Sequence, residues 1–158
     1  MSRTKDKSKS LDPRTLPGHL ARRVQQLAVA LFVQEVGEIG LTPVQYSALQ
    51  TIANQPGIDQ KTLAATIGYD TSTIAGVIDR LESRGLVARQ VSPTDRRARQ
   101  LSATEEGAAT LSAVVPCMLQ AQDRLLEPLT APERKEFMRM LRVLVVANNA
   151  LSRAPSEA

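Results

Sequence analysis

Between Leu41 and Gly85 the chain carries three successive start and stop signals, close enough together that only short helices fit between them. In LTPVQYSALQTIANQPG, Thr42 stands as an N-cap and Pro43 at the first helical position, where a missing N–H costs nothing; Asn54 and Pro56-Gly57 close the segment. DQKTLAATIGY opens on Asp59 and stops at Gly68. DTSTIAGVIDRLESRG opens on Asp70, places Ile74, Val77, Ile78 and Leu81 on one face, and ends at Gly85. The middle of the chain is therefore a run of three short helices with tight turns.

Two short alternating runs follow, LVARQV and ARQLSA, separated by SPTDRR, a turn-forming stretch of Ser, Pro and Asp. They predict a two-stranded hairpin. Helix, turn, helix and then hairpin is the order of a winged helix-turn-helix, whose second helix enters a DNA major groove. Thr71, Ser72 and Thr73 supply three hydroxyls at the approaching end of that helix, able to donate to or accept from bases or phosphates. Ordinary helix capping accounts for such hydroxyls too.

The flanks are longer and more apolar. Leu20, Val24, Leu27 and Leu31 form the stripe of a helix over about 17–38, and Ala28, Val29, Phe32 and Val36 widen it. Thr104 caps a helix to about 129, with Glu105 and Glu106 where the macrodipole favours anions and Pro116 expected to bend it. A last helix, over about 131–151, has Phe137, Leu141, Leu144 and Leu151 in its stripe and Met140, Val143, Val145 and Val146 outside it. Apolar surface on more than one side of these helices implies an interface, most simply a twofold homodimer. The expected fold is mainly α with a small β-hairpin wing: a winged helix-turn-helix at about 41–103 within a single domain over 13–158, flanked by dimerisation helices. Residues 1–12 are expected to be a disordered basic arm, which either touches the DNA backbone or merely solubilises the chain.

Composition narrows the function. The 158 residues suit one core, and Lys plus Arg exceed Asp plus Glu by 20 to 16. The surplus is concentrated, with four positive charges against one negative in residues 1–10 and five against one in residues 84–99. Such clustering points to a polyanion, nucleic acid ahead of an anionic membrane. MSRTKDKSKS lacks the apolar core of a secretory signal and no apolar run is long enough to span a bilayer, so the expected location is cytoplasmic, with no membrane partner. One cysteine, Cys117, and one histidine, His19, leave no material for a disulfide, a metal cluster or a Ser-His-Asp triad. No enzyme activity, metal or cofactor is expected.

TIAGVIDRLESRGLVARQVSPTDRRARQLSATEEG, with its Asp-Arg-Arg and downstream Thr-x-x-Gly, resembles the recognition helix and wing of the MarR family of bacterial transcription regulators, and the resemblance extends over about 17–150. It implies a dimeric DNA-binding regulator, usually a repressor released by a small ligand, on a pseudo-palindromic operator with half-sites about one helical turn apart. In that family the aspartate of Asp-x-Arg orients an arginine that enters the minor groove from the wing tip, which gives Asp95 and Arg97 these roles. The physics agrees, since a pre-oriented guanidinium suits the negative potential of a narrow groove. Arg96 and Arg99 are expected on phosphates, Arg84 and Arg89 less strongly so; a solvated strand position serves equally for Arg99. Gly76 departs from the many relatives that carry a long polar residue there. Glycine costs about 1 kcal/mol against alanine in a helix interior. Close approach to DNA or to a neighbouring helix would offset it.

For an effector, His19 with Arg22 and Arg23 at the start of the first helix suits a carboxylate. Phe32 and Tyr46, then Tyr69, are the candidate ring contacts, although core packing explains Phe32 and Tyr46 as well. LPGHLARRVQQLAVALF more narrowly resembles MarR-type repressors of nicotinate catabolism, which implies an aromatic or heteroaromatic carboxylate such as a hydroxynicotinate. Cys117 is either a redox switch, as in peroxide-sensing relatives, or a small buried hydrophobe. Two other readings stand beside the repressor: an architectural or nonspecific DNA-binding protein without an effector, and a protein-interaction module using the winged fold.

Overall fold

The computed structural model describes residues 11–93 and 99–151. Local capping builds the centre. Helix α2 (Pro43–Asn54) starts with a reciprocal box: the Gln45 N–H donates to Thr42 Oγ1 at 3.3 Å, and the Thr42 N–H donates to Gln45 Oε1 at 3.0 Å. Asp59 accepts the Thr62 N–H at 2.9 Å to start α3 (Gln60–Ile67), and Gly68 ends it at φ 71°, in the left-handed region. Asp70 does the same for α4 (Thr71–Ser83). These three helices start at the expected caps. The last ends two residues short of Gly85, which is left-handed at φ 72°.

Leu49, Ile52, Leu63, Ile74, Ile78 and Leu81 are fully buried where the three helices meet. The hairpin forms from β2 (Val87–Val91) and β3 (Arg99–Ala103), antiparallel, with Val87 opposite Ala103 and Val91 opposite Arg99. A third strand, absent from the sequence reading, joins it: β1 (Ile58–Asp59) pairs with Leu101 and Gln100 on the other edge of β3. Two residues are too few to show a strand's alternation. What creates the pairing is tertiary: the Gly57 N–H donates to the Leu101 carbonyl at 2.8 Å, and the buried Leu101 side chain holds β3 against the helices.

The flanking helices are shorter than their apolar patterns. Helix α1 (Pro17–Val36) gives way to a 3-10 turn at Gly37–Ile39, and α5 (Glu105–Leu126) runs through Pro116 but stops before Leu129. Helix α6 (Ala131–Asn148) starts where Thr130 donates its N–H and hydroxyl to Glu133 Oε2, at 2.8 and 2.7 Å. Packing of α1 on α5 buries Phe32, Val36, Leu111, Val114 and Ala121. The expected stripe of α1 is only partly the buried one: Leu20 and Leu27 are about half exposed. No residue of α6 is buried.

One joint ties these parts together. Thr104 Oγ1 donates to the Gly85 carbonyl at 2.6 Å and accepts the Gly107 N–H at 3.0 Å, while the Thr104 N–H donates to the Leu86 carbonyl at 3.1 Å. A Cβ on Gly107 would lie 2.2 Å from the Leu86 carbonyl oxygen. No backbone atom tolerates that distance, so α5 would have to move off the wing. Gly107→Ala is expected to cost about 2–3 kcal/mol in urea unfolding, the scale of overpacking in a dense site.

Candidate nucleic-acid interface

Helix α4 buries Ile74, Val77, Ile78 and Leu81, so Thr71, Ser72, Gly76, Asp79 and Arg80 lie exposed on its other side. Its N-terminus carries free N–H groups and the positive end of the helix dipole, a favourable place for phosphate. Thr71 and Ser72 stand there with hydroxyls that have no hydrogen-bond partner among the described residues. Thr73 differs: its hydroxyl donates to Asp70 Oδ2 at 2.6 Å and its N–H to Asp70 Oδ1 at 2.8 Å. Its proton is committed to the cap. The three hydroxyls that look alike in the sequence thus divide into two available donors and one structural one.

Among the described residues no atom lies within 4 Å of where a Cβ on Gly76 would stand. Close packing against a neighbouring helix, one of the two explanations offered by the sequence, is therefore removed. Approach of DNA is the one that is left.

The arginines sort by partner. Arg89, on β2, pairs with Asp79 and, at 3.2 Å, with Glu82, both on α4. This ties wing to recognition helix and neutralises two carboxylates that would otherwise repel phosphates. Arg84 donates to the carbonyls of Ile39 and Gly40. Both arginines, weaker candidates for phosphate contact in the sequence, thus have partners within the protein. Arg99 is exposed at the start of β3, opposite Val91. Asp95, Arg96 and Arg97 lie outside the described residues.

The six effector candidates are spread out. Phe32 and Tyr46 are in ring contact, centroids 5.9 Å apart and tilted by 49°, with Phe32 fully buried and burial raising the Tyr46 phenol above its ordinary range. His19 stands 13 residues before Phe32 on α1, about 20 Å along the axis at 1.5 Å per residue. Arg22 Nη2 lies 3.5 Å from His19 Nδ1, and Arg23 donates to Gln26. Tyr69 is exposed in the turn between α3 and α4. His19 is therefore remote from the Phe32–Tyr46 pair along the helix of one chain. Cys117 is half-buried, its Sγ 3.6 Å from the Ala113 carbonyl. Among the described residues no group of three His, Cys, Asp or Glu could hold a metal, and no single helix is long and apolar enough to cross a membrane.

A trihelical core with an exposed reading helix, braced by a three-stranded wing, defines a winged helix-turn-helix DNA-binding protein. The comparisons agree. The MarR family model matches residues 41–98. The transcriptional repressor NicR of Pseudomonas putida is 34% identical over 81% of this chain and 81% of its own. Among solved structures, BpsR of Bordetella bronchiseptica, described with the regulation of its DNA binding by 6-hydroxynicotinic acid, is 30% identical with a TM-score of 0.81, covering 85% of this chain and 96% of BpsR. The repressor CouR bound to a 23-mer DNA duplex is 34% identical with a TM-score of 0.78, covering 82% and 92%. The chain belongs to the MarR family and is a DNA-binding transcriptional regulator, not an enzyme.

Two outcomes are expected of α4. Hydrogen bonds from the Thr73 hydroxyl and then its N–H hold the Asp70 carboxyl below the ordinary aspartate range. A lowered folded value stabilises fully above the unfolded one and is lost as pH falls through the folded value. The cap should therefore be constant from neutral pH down to about 5 and fail below about 4. Circular dichroism against pH should show Asp70→Asn, which cannot ionise, with a shallower acid loss. Gly76→Ala should raise unfolding stability by about 1 kcal/mol and yet weaken DNA binding in fluorescence anisotropy, because the methyl group intrudes where DNA approaches.

Proposed function

We propose that the chain is a homodimeric, sequence-specific repressor that leaves a pseudo-palindromic operator when an aromatic or heteroaromatic monocarboxylate of the hydroxynicotinate type binds. The observation that carries the dimer is the exposed apolar surface of α6. Val143, Leu144, Val145 and Val146 are 53%, 59%, 62% and 58% exposed. Successive helical residues turn by about 100°, so these four point to every side. A flat partner would cover only one; a second copy that wraps α6 between its own helices covers all of them. Grooves of about 280 and 370 Å³ between α1 and the C-terminal helices, lined by Val24, Leu27, Leu125, Phe137 and Leu141, offer seats for that second copy.

The available hydroxyls of Thr71 and Ser72 and the open backbone at Gly76 support contact with a major groove, with Thr73 contributing through the cap. On the wing, Asp95 orients Arg97 into the adjacent minor groove, and Arg96 and Arg99 neutralise phosphates. For the effector, the likeness to BpsR, whose DNA binding is described as regulated by 6-hydroxynicotinic acid, supports a hydroxylated pyridine carboxylate. His19, Arg22 and Arg23 supply its anionic partner. Phe32 and Tyr46 supply apolar ring surface in a second region and Tyr69 a ring in the turn between α3 and α4, so His19 of one subunit and these rings serve one ligand only if the dimer brings them together. The expected location is cytoplasmic.

The test is selection of a duplex from a random-sequence library, followed by titration of the complex with 6-hydroxynicotinate, nicotinate and benzoate. A two-half-site duplex, released by at least one acid in wild type but not in His19→Ala, is expected. No preferred duplex would return the chain to the nonspecific class; no acid response would leave a repressor without this effector. Asp95→Ala should weaken binding roughly tenfold, about 1.4 kcal/mol, although it makes the wing more positive. Tighter binding would mean that net charge, not orientation, governs the wing.

A further inference from the structure

The turn between α1 and α2 and the C-terminal end of α4 are joined by one side chain. Arg84, the residue following α4, donates from Nη2 to the Ile39 carbonyl and from Nη1 to the Gly40 carbonyl, each at 2.9 Å. These carbonyls belong to the end of the 3-10 turn Gly37–Ile39 and to the glycine after it. Carbonyls at a helix end lack partners further along the chain and carry the negative end of the dipole. A planar guanidinium satisfies two at once, which an ammonium on a flexible stem does poorly.

Two glycines shape the turn: Gly37 and Gly40 sit at φ 54° and 68°, in the left-handed region that favours glycine. Helices α1 and α4 share no extended packing among the described residues. Beside the packing routed through α2 and α5, this fork is a direct polar connection between the turn that follows α1 and the end of the reading helix.

We propose that Arg84 is a positioning residue for DNA recognition: by pinning the end of α4 to the Gly37–Gly40 turn, it fixes the angle between α1 and α4. In a dimer that angle sets the separation of the two reading helices, and hence the half-site spacing the protein accepts. The inference rests on the reading of the chain as a dimeric repressor. It assigns Arg84 an action on DNA through the protein backbone, in place of a phosphate contact.

The experiment uses the full chain, the duplex it selects from a random-sequence library, and two further duplexes with one base pair inserted or removed between the half-sites. Arg84→Lys and Arg84→Gln are compared with wild type by anisotropy across a salt series. Both variants should lose about tenfold in affinity for the selected duplex, the scale of a lost charge-assisted hydrogen-bond pair. The ratio of affinities between native and altered spacings should fall toward one in both, and the slope of log affinity against log salt should stay unchanged. That ratio is taken within each variant, so a smaller folded fraction cancels from it. Arg84→Lys behaving as wild type while Arg84→Gln lowers the salt slope by about one would make Arg84 a phosphate contact and overturn the inference. Unchanged spacing ratios in both variants would overturn it too. Failure of the wild-type chain to select any duplex would instead remove the repressor reading, and this inference with it.

Discussion

The structure depends on a contact that leaves no room for a side chain. At Thr104 the end of the recognition helix, the root of the wing and the start of α5 are held by three hydrogen bonds, and the absent Cβ of Gly107 lets α5 approach the Leu86 carbonyl. The Thr104 hydroxyl satisfies two obligations at once, accepting an otherwise unpaired helix N–H and donating to a carbonyl beyond the preceding helix. With this joint closed, α4, the sheet and α5 have no independent freedom at their common point. Every longer-range feature, from the pairing of Arg89 with α4 to the course of α5 along α1, is built outward from it.

Much of this was legible in the chain because it rests on local chemistry. Thr42, Asp59, Asp70 and Thr104 are caps whose effect is confined to one turn, and each helix starts where its cap stands. The wing's strands were legible for the same reason, between a left-handed glycine and the next cap. The two-residue strand β1 was not, since its existence depends on Leu101, 43 positions beyond Ile58, being buried beside it. Helix ends were overrun at α1 and α5 because apolar residues continue past the last helical turn: Ile39 and Leu129 are half-buried outside their helices.

The site divides along the same line. Sequence alone placed the reading helix and its exposed end, which follow from periodicity. It could not say that Thr73 donates inward while Thr71 and Ser72 do not, nor that Arg84 and Arg89 are engaged with the protein. A surface arginine looks the same in sequence whether it faces a phosphate or an acceptor more than forty residues away. Some signal was available for Arg89, since Asp79 and Glu82 lie three apart on one helix face just before β2, so that a basic residue entering that strand meets both. For Arg84 there was none, because its partners are backbone carbonyls, which every residue has.

The central position of β3 has its own consequence. Paired with β2 on one side and β1 on the other, it makes the wing an extension of the trihelical core, not a flap hinged to it. Recognition helix and wing root are thereby held to one another as a gauge. A protein that reads DNA from such a frame leaves the adjustment to the duplex, and the cost of bending it or narrowing a groove depends on sequence even at base pairs that no side chain touches.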